Sequence, residues 1–270
     1  MLDYIAAVII GVVEGLTEFL PVSSTGHMIL TQALLGIPEE DAMLKVFLVV
    51  IQLGAIMAIV VLYWKRLLRL FGLHKDPNRV GQRQLNLIHI CIGILPAGVV
   101  GLLLNDFIDR YLFNPKTVLL SLVIGGIVLI IAEKSTTPIT AKELDEISYR
   151  QAFYIGLYQI LSVIWPGFSR SGATIAGGML TGVSRAASAD FTFIMAVPLM
   201  FAASGLSLLK SYEMFTTEVI GHFAVGFAVA FVVALLAVVT FIKLVQKMSL
   251  SIFAYYRFAV AALFALYFVF

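Results

Sequence analysis

Long uncharged apolar runs of helix length alternate along the chain with short polar interruptions. A helix needs about 20 mostly apolar residues to cross a bilayer. Residues 46–64, 84–105, 191–209 and 219–242 meet that length, 117–132 is shorter, and 250–270 carries Arg257 near its start. The pattern therefore predicts six transmembrane helices. Two further apolar stretches, 4–36 and 150–183, are interrupted mid-way at Pro21 and Pro166. Proline costs about 3 kcal/mol inside a helix and tends to end one. Each half is short for a full crossing, so each stretch reads as a re-entrant helical hairpin. Non-helical backbone at membrane depth is tolerated where protein or a wet cavity surrounds it.

Composition fixes the class. Of the 270 residues, 61% are hydrophobic and only 13% charged, and the mean hydropathy is +1.01. Soluble domains run nearer half apolar and a quarter charged, so this is an all-α polytopic membrane protein. The net charge of +2 gives no ground for a nucleic-acid partner. The lone Cys91 excludes an internal disulfide. The start, MLDYIAAVII, lacks a basic segment and a small-residue cleavage site, so no removable signal peptide is expected. Lys65, Arg66, Arg69, Lys75, Arg79 and Arg83 face one acid, Asp76, in the loop 65–84. The positive-inside rule makes that loop cytoplasmic, and puts Lys243 and Lys247 on the same side.

The two interrupted stretches resemble each other. IGVVEGLTEFLP (10–21) aligns with IGLYQILSVIWP (155–166) at an offset of 145, with Glu14 over Gln159. One inserted residue later LLGI (34–37) lies over LTGV (180–183), and Phe47 over Phe193. The chain reads as one membrane domain built by duplication, repeat one about 1–133 and repeat two about 149–270. Each repeat is one hairpin plus three spans. Three crossings invert the second copy, and inverted repeats with broken helices place their site near the midplane.

The breaks carry the chemistry. Glu14 and Glu18 share one helix face before Pro21, where the dipole is negative. That arrangement asks for a cation, either a divalent metal such as Mg2+ or Ca2+ or an arginine. The plain alternative is an interfacial Glu18. Ser23, Ser24 and Thr25 follow, and a helix starting there offers free N–H groups to an anion. Without a ligand the same residues form an ordinary cap. His27 is three residues from Ser24, a helical neighbour able to take a hydroxyl proton. The second break, WPGFSRSGAT (165–174), adds Ser169, Ser171, Thr174 and Arg170. Arginine's planar fork suits phosphate, although Arg170 also reads as a structural partner for Glu14 or Glu18. Gln52, mid-span, is a cavity-lining candidate. His89 and Asn86 read as interhelical hydrogen-bonding residues, Arg185 and Asp190 as interface residues, and Arg257 as a side chain that snorkels to the cytoplasmic face. A headgroup site sunk in lipid points to a phosphorylated lipid, whose tail stays in the bilayer.

These two stretches, EGLTEFLPVSSTGHM (14–28) and PGFSRSGAT (166–174), resemble the signatures of the undecaprenyl-diphosphate phosphatases, the bacterial bacitracin-resistance membrane enzymes. VIQLGAI (50–56), LIHI (87–90), YRQAF (149–153) and GVSRAASADF (182–191) extend the likeness over almost the whole chain. The resemblance implies a metal-dependent enzyme of the bacterial inner (plasma) membrane. Such enzymes remove the terminal phosphate of a polyprenyl diphosphate, giving the monophosphate carrier of cell-wall synthesis. It further implies Ser24 as nucleophile, His27 as base or acid, Arg170 as phosphate clamp, and a site on the outer face; on that mechanism Glu18, His27 or the pair accepts the Ser24 proton. A transporter or flippase of the same lipid is the alternative. Direct water attack, with Ser24 only binding, fits equally. The oligomeric state, a homodimer included, stays open.

Overall fold

The computed structural model describes residues 2–38, 41–73, 84–112, 114–245 and 248–269. Lys75, Asp76, Arg79, Arg83 and Lys247, which carry much of the expected charge asymmetry, lie outside them. Eleven α-helices are formed among the described residues, with no strand beyond one isolated bridge between Ala141 and Val183. They are α1 (Tyr4–Thr17), α2 (Ser24–Leu34), α3 (Ala42–Leu62), α4 (Trp64–Leu70), α5 (Leu87–Phe107), α6 (Pro115–Glu133), α7 (Tyr149–Ile164), α8 (Arg170–Leu180), α9 (Arg185–Lys210), α10 (Thr217–Val245) and α11 (Ser251–Val269).

Five of these, α3, α5, α6, α9 and α10, are long and apolar enough to cross a membrane. The sixth expected crossing forms as α11, whose described apolar length falls just short of that measure. Leu102 and Leu103 on α5, Leu209 on α9 and Leu236 on α10 are more than two-thirds exposed. Apolar surface of that kind belongs against lipid. The helix starts are locally specified. The Asp3 carboxylate accepts from the Ala6 N–H at 2.7 Å, the Asp41 carboxylate caps α3, and Ser148 with Gln151 forms a capping box on α7.

Both proline-interrupted stretches break where the prolines foretold. α1 stops at Thr17 and α2 starts at Ser24, while α7 stops at Ile164 and α8 starts at Arg170. In each stretch the two halves pack on one another. The breaks share a rare backbone state: Ser23 (φ 76°) and Ser169 (φ 78°), 146 residues apart, are the described non-glycine residues with positive φ. Each serine hydroxyl then caps its helix, accepting the N–H of Gly26 or Gly172 at 3.1 Å. Both second halves also end on a left-handed glycine, Gly36 (φ 65°) and Gly182 (φ 84°).

Small residues let the first halves sit close to the spans. α1 packs along α10, and a Cβ on Gly11 or Gly15 would lie 2.8 Å from the carbonyl of Gly226 or Ala230. α7 packs along α5, where a Cβ on Gly156 would meet the Gly93 carbonyl oxygen at 2.4 Å. Glycine at such crossings is how membrane helices approach closely. Replacing Gly156 by leucine should therefore cost at least about 3 kcal/mol, the upper range for overpacking. Gly205→Ala, with no atom within 4 Å of the added carbon, should be neutral. Thermal unfolding of the two purified variants in detergent makes the comparison; equal midpoints would contradict the packing account.

Candidate active site between the two helix breaks

The breaks place their polar groups in one cluster. Glu18, the C-cap of α1, is 8% exposed and Ser24, the first residue of α2, is 7% exposed. The Ser24 hydroxyl donates to Glu18 Oε2 at 2.5 Å. Arg170, the first residue of α8, donates through Nη2 to Glu18 Oε1. The Glu18 carboxylate thus joins a hydroxyl of the first break to a guanidinium of the second, 152 residues from Glu18 itself. The Ser171 hydroxyl also crosses, donating to the Leu20 carbonyl at 2.9 Å, and its oxygen lies 3.1 Å from that of Ser169. Ser24, Arg170 and Ser171 therefore meet, as the pairing of the two motifs requires.

Some polar capacity in the cluster is unspent. Arg170 Nη1 is buried and has no acceptor among the described residues. Glu14 is fully buried, beside Glu18 and within reach of the Arg170 charge, and neither of its oxygens accepts a conventional hydrogen bond. Two carboxylates, no third His, Cys, Asp or Glu among the described residues, and an unspent carboxylate form a thin donor set for a metal. A hard cation such as Mg2+ is held in other proteins by one or two carboxylates, its shell completed by water and phosphate oxygens.

His27 is held differently from the expectation. Its Nδ1 lies 2.7 Å from the Ser23 carbonyl oxygen and its Nε2 lies 2.8 Å from the Tyr256 hydroxyl. A carbonyl only accepts, so Nδ1 carries a hydrogen, and in the neutral tautomer Nε2 accepts from the Tyr256 O–H. The ring also stacks on Tyr256, 5.6 Å between centroids. No hydrogen bond joins His27 to Ser24 among the described residues; Glu18 holds the Ser24 proton position instead.

The remaining expected residues are more peripheral. Ser23 and Ser169 shape the breaks through their caps. Thr174 is fully buried and turned to α9, receiving the Thr192 hydroxyl at 2.8 Å while donating to the Arg170 carbonyl at 2.8 Å. Thr25 and Gln52 are half-buried and make no side-chain hydrogen bond among the described residues. Asn86 bridges to the Tyr149 hydroxyl at 3.0 Å, and His89 stacks on that ring. Arg185 is an interface residue, bound to Glu133 at 2.5 Å and to the Met248 carbonyl at 2.7 Å. Asp190 receives the Tyr63 hydroxyl at 2.5 Å in a separate cleft of about 590 Å³. Arg66, paired with Asp145 at 2.8 Å, lines the same cleft, but none of Ser24, Glu18 and Arg170 does.

Arg257 corrects the sequence reading outright. It does not snorkel. It is fully buried and donates to main-chain carbonyls around the second break. Its neighbour Tyr256 is the His27 partner. A positive charge inside an apolar helix was the signal available; its direction along the helix was not.

Apolar helices long enough to span a bilayer, with charged groups joined between the breaks of two shorter helix pairs, define a multi-pass membrane protein with a buried polar centre. The chain belongs to the bacitracin resistance protein BacA family, whose pattern it matches over residues 7–263. The match spans both breaks and the part of α11 that carries Tyr256 and Arg257.

The His27 hydrogen-bonding pattern has a direct test. Long-range 15N–1H spectra of histidine-labelled protein, assigned with His27→Gln, should show hydrogen on Nδ1 and an unprotonated Nε2. A ring protonated on Nε2 alone would contradict the Ser23 and Tyr256 contacts.

Proposed function

We propose that this protein dephosphorylates undecaprenyl diphosphate to undecaprenyl phosphate, recycling the lipid carrier of cell-wall synthesis and so giving bacitracin resistance. Family membership supports the reaction. One observation carries its assignment to this cluster: Glu18 holds the Ser24 hydroxyl with one oxygen and Arg170 with the other. A nucleophile, its base and a phosphate-binding fork are then a single hydrogen-bonded unit.

In the proposed reaction the lipid tail stays in the bilayer and the diphosphate enters between the two breaks. Arg170 turns its unspent Nη1 toward the terminal phosphate, since a guanidinium supplies several donors from one plane. Ser24 Oγ attacks the terminal phosphorus as its proton passes to Glu18 Oε2. The bond from that phosphorus to the bridging oxygen breaks, and the lipid monophosphate leaves as an anion. Glu18 gives up the Ser24 proton to solvent and then accepts a proton from the water that attacks the phosphoserine. As the P–Oγ bond breaks and phosphate leaves, Glu18 returns that proton to Ser24 Oγ. The free N–H groups at the starts of α2 and α8 meet the charge on the transferring group. Glu14 and Glu18 would hold the divalent cation, which supplies charge neutralisation on the phosphoryl oxygens. His27, tied to Ser23 and Tyr256, keeps the first break in shape.

The same reading takes 1–270 as one unit of two oppositely oriented repeats. α1–α2 and α7–α8 are its membrane-dipping hairpins, supported by the local features that recur 146 residues apart. It places the protein in the bacterial plasma membrane with the headgroup cavity open to the outer face.

Purified protein in detergent should release phosphate from a polyprenyl diphosphate with no membrane to cross; a pure flippase would release none. Arg170→Ala should lower kcat/KM by about 10³-fold or more, the scale of a phosphoryl-stabilising arginine. Arg170→Lys should recover little of it. Ser24→Ala should match that loss, and radiolabelled phosphate trapped during turnover should map to Ser24. Turnover with no label at Ser24 would favour water attack.

A further inference from the structure

The second break is built around a cation that the reaction above does not use. Arg257 lies on α11, 87 residues beyond Arg170, yet its guanidinium reaches under the 166–169 turn. Nη2 donates to the carbonyls of Phe168 at 2.9 Å, Ser121 at 3.0 Å and Gly167 at 3.3 Å, and Nε donates to Leu122 at 3.0 Å. The Ser121 hydroxyl donates to the Pro166 carbonyl of the same turn at 2.6 Å. Three successive carbonyls, 166 to 168, are thus pulled toward α6 and α11.

The socket is shaped for this side chain. A Cβ on Gly125 would sit 2.1 Å from Nη2, and one on Gly172, in the first turn of α8, would sit 3.3 Å from Nη1. Nη1 itself is buried and has no acceptor among the described residues, and no carboxylate there pairs with Arg257. An isolated buried charge is costly. Carbonyl dipoles offset part of that cost, and an anion at the α8 N-terminus would offset more.

The carbonyl contacts also have a directional effect. In a trans peptide the C=O of one residue and the N–H of the next point opposite ways. With the Phe168 carbonyl fixed on Arg257, the Ser169 N–H is turned to the other side of the turn, and Ser169 is the strained residue that starts α8. We infer that Arg257 is a positioning residue for phosphate binding, setting the 166–169 turn from below so that the α8 N-terminus and Arg170 meet the anion, and adding a fixed positive charge behind them. The inference deepens the phosphatase reading and rests on it for the identity of the anion.

The test compares wild type, Arg257→Lys, Arg257→Met and Ser121→Ala as full-length protein in detergent. Lysine keeps the charge but cannot span four carbonyls. Arg257→Lys should lower kcat for polyprenyl diphosphate by about 10–100-fold, as loss of supporting contacts does elsewhere. The KM, dominated by the lipid tail, should stay within about twofold, a pattern that marks lost transition-state contacts. Inhibition by orthovanadate, a mimic of the transferring phosphoryl group, should weaken in parallel. Arg257→Met should lose more, and Ser121→Ala less in the same direction. A lower unfolding temperature with kcat per folded molecule and the vanadate inhibition constant unchanged would overturn the inference. If neither Arg257 variant yields folded protein, Ser121→Ala decides by the same two numbers. Should wild type release no phosphate, the phosphatase reading falls separately. The positioning role is then read from thermal stabilisation by orthovanadate, which must be present in wild type and reduced in Arg257→Lys. Stabilisation that is absent or equal in both would overturn it.

Discussion

A charge pair between two helix breaks organises this protein. Glu18 ends one helix and Arg170 begins another, and their contact joins segments that the chain keeps 152 residues apart. Two charges withdrawn from water cost several kcal/mol each, and attraction offsets this only when the remaining lone pairs and protons are also satisfied. Glu18 meets that condition by accepting the Ser24 hydroxyl as well. Arg170 does not meet it fully, because Nη1 is left over. The pair therefore holds the two breaks together while leaving donor capacity for an anion.

The breaks that expose these groups are maintained by strain at defined points. Ser23 and Ser169 occupy a region of φ that side chains with a Cβ avoid, at a cost of order 1–3 kcal/mol each. Each recovers a hydrogen bond by capping the helix it starts. The consequence is a helix N-terminus at the break itself, so that unpaired N–H groups sit next to Glu18, Ser24 and Arg170. The strain, the cap and the charge pair occur together in both breaks or between them, which ties the backbone conformation to the site.

α11 connects the two breaks from behind. Tyr256 holds His27 after the first break and Arg257 holds the carbonyls of the second. Adjacent residues on one helix thus reach both halves of the polar centre. α11 also packs along α6, whose Ser121 and Leu122 carbonyls and Gly125 complete the Arg257 socket. A shift of α11 relative to α6 would be felt at both breaks together.

The sequence by itself determined the membrane class, the long apolar helices and the two interruptions, because length without charge and proline within apolar runs are local properties. It also marked the polar groups at the breaks, since Glu18, Ser24, Arg170 and Ser171 stand out against an apolar background. Tertiary structure alone decided which of them touch. Spacing made His27 the neighbour of Ser24, but Glu18 took that hydroxyl, and His27 turned to a residue 229 positions away. Arg257 shows the limit most clearly. Lipid is as apolar as a packed core, so in a uniformly apolar helix no hydrophobic periodicity distinguishes the buried face from the lipid face. Whether a lone arginine there runs to the surface or inward is settled by the carbonyls that wait for it, and those belong to segments folded far away in the chain.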